Sequence, residues 1–533
     1  GLRPPMMATT VLLAAALSGL ASLAAQGLLQ PPPHRLADRH PGSLRVHLGT
    51  VGIAYTALLA IGQRPILAAG ALIAIELVVI QCSNIKWRTL REPLVCQDTT
   101  YFLDAIRFPR LFVPFFGIAR AIAAITAAVV AIGSLLWAEP SLWAAAAGAS
   151  APQAALLLGA IAGLLLASLA ALERGLARLP EPSLEPSTDL ARYGLHAHLW
   201  ACARRLGSVP DTSRQPSVLT QAPAPATPDS AHVVLVQSEA FFDPRTWSKH
   251  IHPDLLPAWD ELRAGALDTG RLTVPAWGAN TVRTEAAVLT GLDEQALGVH
   301  RFNPYIPLAR RSVPSLAHHL GRAGYRTVFI HPYPARFYQR HRVVPNLGFE
   351  AFIDARAFAG APIEGQYVSD RAVGDYVADL LGAADQRPLF LFVVTMENHG
   401  PIHLERSLAK PEGDPRVTPD GLELPPGCED LLIYCRHLRH ADQMLGTLMQ
   451  ALRASPRPGL LGWYGDHVPA MPDVYERLGA PAGHSHYALW ATGATAARQP
   501  NRRDLQASML GAALLERRDH LEQAHDRQPH HAN

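Results

Sequence analysis

Tyr464-Gly465-Asp466-His467-Val468 closes an apolar run late in the chain and sets one carboxylate beside one imidazole. At the carboxyl end of a buried strand, such a pair points into the crevice where open α/β sheets bind ligands, and offers metal-donor atoms there. Two further places add to it. The strand-like run His232–Gln237 leads straight into Ser238-Glu239, leaving a carboxylate at a strand's carboxyl end. Trp277-Gly278-Ala279-Asn280-Thr281 precedes a helical run, with Asn280 or Thr281 able to cap it. A hydroxyl at a helix N-terminus, next to a divalent cation, loses its proton readily and becomes a nucleophile, while the helix N–H groups can hold a phosphoryl group. Glu239, Thr281, Asp466 and His467 make three hard oxygens and one imidazole, a set suited first to Mn²⁺, with Mg²⁺ or Zn²⁺ compatible. Each residue alone is an ordinary capping or loop residue; the reading rests on their co-occurrence.

The elements that must position them fall in two physically different parts. Within the 533 residues, the first 175 are rich in Ala, Leu, Ile and Val and contain five runs, near 6–29, 46–62, 65–82, 111–138 and 152–172, that could cross a bilayer. Gly62-Gln63-Arg64-Pro65 reads as a tight turn between the second and third. The first run has a long apolar core and more spans follow it, so it is expected to be retained rather than cleaved; the chain opens on Gly1, consistent with an upstream start. Residues 176–230 form a juxtamembrane segment and Pro-rich linker, with a short helix expected around 188–206. Residues 231–515 alternate strand-like and amphipathic helical stretches. The strands are expected at His232–Gln237, Thr327–Ile330, Pro388–Thr395, Gly459–Tyr464 and Tyr487–Ala491, an α/β domain with a largely parallel sheet. The charged, His-containing tail 516–533 reads as disordered.

Five cysteines are too few for a disulfide framework, and Cys428 and Cys435 stand too far apart on one helix to pair. A net charge of +2 and the absence of a nucleic-acid motif give no role with nucleic acid.

Five motifs in order, Gln237-Ser238-Glu239, Asn280-Thr281-Val282-Arg283-Thr284-Glu285 with Val288-Leu289-Thr290-Gly291, Phe337-Tyr338-Gln339-Arg340, Glu397-Asn398-His399-Gly400-Pro401 and Tyr464-Gly465-Asp466-His467-Val468-Pro469, carry a resemblance. From the first span to about residue 510, the chain resembles the lipoteichoic acid synthase and phosphoglycerol transferase branch of the alkaline phosphatase superfamily. The resemblance implies a sulfatase-like catalytic domain after about five transmembrane helices. It implies Glu239, Asp466 and His467 as ligands of one divalent cation, Thr281 as nucleophile and fourth ligand, and Tyr338, Arg340 and His399 as contacts to headgroup and phosphate. Arg340 suits phosphate through its planar donor fork.

The implied reaction moves a phosphoglycerol headgroup from phosphatidylglycerol to a glycan or polyol hydroxyl through a phospho-threonine. The implied place is a bacterial inner membrane, with the catalytic domain in the periplasm. Loop charge points the other way: Arg and Lys concentrate at 30–45 and 83–110, on the catalytic domain's side of the spans. The chain departs from the pattern at Ala279-Asn280, where relatives carry two Gly, and at Ala240, where Ser is frequent. Alternatives are a phosphoethanolamine transferase, a sulfate or phosphate ester hydrolase, and an inactive membrane receptor of the same fold. No Cys stands in the Cys-x-Pro-x-Arg context of an arylsulfatase. His484 and His486 are further candidates for substrate or a second metal. Glu76 and Arg120, inside the third and fourth runs, are expected to pair, since charges at that depth are costly.

Overall fold

The computed structural model describes residues 4–100, 107, 118–146, 149–383, 386–405, 417–493 and 500–526. It divides into two compact units, Gly1–Ser208 and Val209–Asn533.

Among the described residues of the first unit, five helices are long and apolar enough to cross a membrane: Met6–Leu28, Pro41–Gly62, Pro65–Leu90, Thr126–Ala144 and Ala151–Leu176. Gln63 takes the left-handed conformation that ends one helix, and Pro65 starts the next. The second and fifth spans approach closely because small residues line the contact. A Cβ on Gly49 would stand 2.5 Å from the Leu172 backbone nitrogen, so only glycine allows that packing. The juxtamembrane segment folds into two helices, Pro186–Tyr193 and Leu195–Ala203, rather than the one expected, because Gly194 breaks the run at φ 74°.

Glu76 is buried on the third span, and its Oε2 stands 3.2 Å from Nε2 of His196 on the juxtamembrane helix. The side chain of Arg120 lies outside the described residues.

The second unit is built on a mixed sheet. Its strands are β1 (His232–Ser238), β2 (Asp268–Thr273), β3 (Arg326–Ile330), β4 (Ala351–Ile353), β7 (Leu389–Val394), β8 (Gly459–Gly465), β9 (Ser485–Ala491), β10 (Asn501–Arg502) and β11 (Leu505–Gln506); β5 (Ile363–Glu364) and β6 (Tyr367–Val368) form a separate hairpin. The order is β10-β2-β9-β8-β1-β7-β3-β4, with β11 also on β2. From β8 to β4 the strands are parallel, and β9 is antiparallel to both its neighbours. β1, β7 and β8 are wholly buried, as continuous apolar runs covered on both faces require.

One face packs against the helix Glu429–Ala454 through Leu431, Leu438, Leu445 and Leu452, the other against Thr281–Thr290 and Ala507–Asp526.

The expectation of disorder from 516 is corrected. The last helix continues to Asp526, because its charged residues have partners. Arg517 is ion-paired with buried Asp268, and Arg518 is buried over the Tyr325 ring. Residues 527–533 lie outside the described residues. All five cysteines are free.

Candidate active site

The parallel strands β1, β7 and β8 deliver Glu239, the Glu397–Pro401 loop and Asp466-His467 to the same end of the sheet. Close approach makes this possible at Gly465, where any Cβ would meet the Phe241 carbonyl oxygen at 1.7 Å. The backbone then fixes the acids. Asp466 Oδ1 accepts from the N–H groups of Ala240 (2.8 Å) and His467 (3.0 Å), and the Glu239 N–H donates to Thr395 Oγ1 at 3.0 Å. The Thr284 hydroxyl donates to the Asp466 carbonyl at 2.7 Å, tying the Thr281–Thr290 helix to the Asp466-His467 turn.

Glu239, Asp466 and His467 each offer a donor atom, and these all lie within 4.8 Å of one another. His467 Nε2 is 3.5 Å from Glu239 Oε1 and 3.2 Å from Asp466 Oδ2. Donors around a cation held at about 2.1 Å stand roughly 3.4 Å apart in a tetrahedron. His467 Nδ1 faces the Val468 carbonyl at 3.0 Å; a proton there leaves the Nε2 lone pair for a ligand. Asp466 Oδ2 and His467 Nε2 are buried and have no hydrogen-bond partner. Burial, then the neighbouring Asp466, holds the Glu239 carboxyl well above the usual carboxylate range. Two buried acids, with orphaned donor atoms on Asp466 and His467, need a counter-charge, and a divalent cation fits.

Thr281 opens its helix, is 5% exposed, and its Oγ1 is 3.4 Å from Glu239 Oε2. Asn280 occupies the cap position at φ 67° without any side-chain cap hydrogen bond, so ordinary side-chain capping does not explain this sequence. Ala240, Tyr338 and Gln339 share positive φ values of 53°, 54° and 58°. These four non-glycine residues mark the Glu239-Ala240 turn, the loop before Thr281 and the Tyr338-Gln339 turn as places of stored strain, as functional sites often are.

His399 and Tyr338 line the crevice differently from Arg340. Burial, outweighing a 2.6 Å hydrogen bond between Nδ1 and the Gly400 carbonyl, lowers the His399 pKa to about 4, and the nearby charges of His467, Asp466 and Arg340 bear on it too. Tyr338 is half-buried, packed on Phe337 and under the Arg340 guanidinium at 5.4 Å.

Arg340 has partners the sequence reading did not expect. It is 1% exposed, donates to Glu285 Oε2 at 2.7 Å, and turns Nη1 to His331 Nε2 at 3.2 Å. Glu285 also accepts from the Tyr305 hydroxyl. Much of the donor fork is therefore spent within the protein, although its charge reaches Glu239 and His399.

Sequence reasoning missed His331, Tyr333 and Tyr367. His331 directly follows β3 at the same sheet end, a signal that was present. Tyr333 and Tyr367 continue an aromatic wall to His399, with ring centroids 6.3 and 5.6 Å apart, and no local pattern announces them.

His484 and His486 do not join either donor cluster found among the described residues; the Asp243 N–H donates to His486 Nδ1 at 3.1 Å. The second cluster is Glu397, His437 and His440. Its Glu397 Oε1 contacts, 2.8 Å to His437 Nδ1 and 2.6 Å to His440 Nδ1, are hydrogen-bond distances, shorter than the spacing of ligands around a cation.

The comparisons follow the same lines. The capsular polysaccharide biosynthesis protein RkpI of Rhizobium meliloti (strain 1021) is 27% identical over 500 residues, covering 88% of this chain and 86% of that protein. A putative cyclic beta-1,2-glucan modification protein of the same organism is 29% identical over 258 residues, 47% of this chain and 38% of the relative. The membrane-embedded lipooligosaccharide phosphoethanolamine transferase A of Neisseria meningitidis has the same fold, with a TM-score of 0.57 over 96% of this chain and 95% of its own, at 12% identity. The Sulfatase family model matches residues 231–504, the span that contains all four candidate ligands, and the chain belongs to that family.

Proposed function

We propose that this multi-pass membrane phosphotransferase moves a phosphoglycerol headgroup from phosphatidylglycerol to a glycan hydroxyl through a phosphorylated Thr281. The observation that carries the reading is Thr281 at a helix N-terminus, against Glu239 and beside the orphaned donor atoms of Asp466 and His467.

One divalent cation, Mn²⁺ first among Mn²⁺, Mg²⁺ and Zn²⁺, would be held by Glu239, Thr281, Asp466 and His467 and would supply the Lewis acidity that lowers the hydroxyl pKa. Thr281 Oγ1 attacks phosphorus, the bond to the diacylglycerol oxygen breaks, and the threonine proton ends on that oxygen. The N–H groups of the Thr281 helix and the charge of Arg340 stabilise the equatorial oxygens. His399, neutral at pH 7, then accepts the acceptor's hydroxyl proton. The acceptor oxygen attacks the phospho-threonine, and the proton returns to Thr281. Two in-line displacements give retention at phosphorus. Tyr338, on the wall shared with Tyr333 and Tyr367, packs against the headgroup.

A glycan acceptor is supported by the relatives named for capsular polysaccharide and glucan modification. We place the catalytic domain in the periplasm of an inner-membrane protein because such acceptors lie outside the cytoplasm. The fold shared with a phosphoethanolamine transferase favours that headgroup as the second reading.

The test is incubation of detergent-purified protein with labelled phosphatidylglycerol or phosphatidylethanolamine, with diacylglycerol and labelled product measured for each. Release from phosphatidylglycerol alone is the expected result; release from phosphatidylethanolamine alone would replace it.

A further inference from the structure

A cavity of about 690 Å³ opens beside the candidate active site. It lies within the roughly 300–1,000 Å³ range of small-ligand pockets. Two of its walls continue from the catalytic turns. Phe242 stands three residues after Glu239, and His486 follows Ser485, whose hydroxyl donates to the carbonyl of Gly465 at 2.6 Å, next to Asp466.

Aromatic rings lead from the nucleophile loop to the cavity. Trp277, four residues before Thr281, meets Tyr475 edge-on at 6.0 Å; Tyr475 meets Trp247 at 5.7 Å, and Trp247 meets Phe242 at 6.2 Å. Trp277, Tyr475 and Trp247 are all half-buried, so part of each remains open, as a sugar platform requires.

The rest of the charged lining is mainly cationic. Arg263, Arg271, Arg502 and Arg503 line the cavity against a single lining carboxylate, Asp504. The acids behind them, Asp243, Asp260, Asp268 and Glu516, also hold Arg245 and Arg517, so with Asp504 six guanidinium groups meet five carboxylates. Arg271 holds Asp504 through its backbone N–H, Nε and Nη2, with both side chains well exposed, at 61% and 51%, so water and salt screen the pair and its outward guanidinium face is open to a ligand's carboxylate. Rings and guanidinium forks lining one cavity fit sugars that carry carboxylate or phosphate groups.

We infer that this cavity is the acceptor site and that its ligand is an acidic oligosaccharide, stacked on Trp247 with its anionic groups on Arg271 and Arg502. The inference rests on the transferase reading for the word acceptor, but the binding site stands or falls separately.

The experiment uses full-length protein in detergent, titrated with hexagalacturonate and, as the uncharged control, maltohexaose, followed by ligand-observed NMR. Hexagalacturonate is expected to bind and maltohexaose to bind at least about tenfold more weakly. Trp247→Ala should weaken hexagalacturonate binding about tenfold, and Arg271→Ser with Arg502→Ser should erase the preference, a loss of roughly 1.4 kcal/mol or more. Thermal unfolding of each variant, expected at the wild-type midpoint, certifies the fold, and diacylglycerol release from labelled phosphatidylglycerol is read in the wild type. No hexagalacturonate binding, equal binding of both sugars, or binding indifferent to all three substitutions would overturn the inference. Failure of diacylglycerol release in the wild type, with binding intact, would instead remove the transferase reading.

Discussion

Arg340 and Glu285 form an ion pair at 2.7 Å with side-chain exposures of 1% and 0%, which joins the headgroup motif to the nucleophile helix one turn beyond Thr281. Burial lowers the arginine pKa, and the Glu285 charge with its hydrogen bond more than restores it, so the guanidinium stays protonated. Removing one partner strands the other charge in the interior. Arg340→Ala is expected to destabilise the protein by about 3–5 kcal/mol, whereas Arg340→Met with Glu285→Met should recover much of that. Urea unfolding of the single and double variants checks it. A loss in the double variant as large as the sum of the two singles would show that the pair is not the stabilising element.

Thr281→Ala is expected to abolish transfer while leaving the fold intact, because it removes the nucleophile and one of four ligands. The rate should drop by several powers of ten. Mass spectrometry of wild-type protein incubated with donor lipid should find the phosphoglyceryl group on Thr281. Wild-type turnover in Thr281→Ala would refute the assignment.

Asp466→Ala and His467→Ala should lower metal content and activity in parallel. Elemental analysis of the purified variants is the direct measurement, with one divalent ion per wild-type chain expected. Full occupancy in Asp466→Ala would contradict a shared site.

His437 is clamped between Glu397 Oε1 and Glu405 Oε2, each at 2.8 Å. Burial alone would lower its pKa, but the hydrogen bonds to the two carboxylates outweigh it and bring the value to about 9. A histidine with a raised folded pKa stabilises fully below its unfolded value near 6.5 and loses that contribution as pH rises through about 9. His440 and Asp370 also face Glu397, and Arg436 faces Glu405. Since Glu397 lies two residues before His399, the clamp also orients the His399 loop. Tm should fall between pH 7 and 10 in the wild type, with a smaller fall in His437→Gln. Identical Tm profiles in that window would remove the clamp.

The sheet's centre was legible because β1, β7 and β8 are continuous apolar runs with chemistry at their ends. Polar β2, Asp268-Thr-Gly-Arg-Leu-Thr, was not, since its strand state comes from pairing with β9 and from Arg517 satisfying Asp268. The candidate ligands were legible for the same reason as the strands: each follows one directly or opens a helix. The engagement of Arg340 was not, because Glu285 and Tyr305 reach it only through tertiary packing, although Glu285 stood in a recognised motif. Charge density alone made the last helix look disordered; its arginines are in fact spent on Asp268 and Tyr325.

Glu76 illustrates the same limit in the membrane unit. Its carboxylate was expected to need a partner, and the described partner is His196, from a helix outside the spans. His196 Nδ1 in turn lies 3.0 Å from His47 Nδ1, and Gln26 Nε2 is 2.6 Å from that same atom, so three helices and the juxtamembrane segment share one buried polar cluster. An unpaired acid at that depth is costly, and polar contacts between helices in lipid are worth about 0.6–1.7 kcal/mol by double-mutant cycles. Glu76→Gln and His196→Gln should therefore each destabilise the detergent-solubilised protein, and the double variant should lose less than the two losses added, by an amount in that range. Thermal unfolding of the four proteins gives the coupling. Strict additivity would mean that Glu76 is held by something other than His196, and rescue of Glu76→Arg by Arg120→Glu would return the pairing to the fourth span.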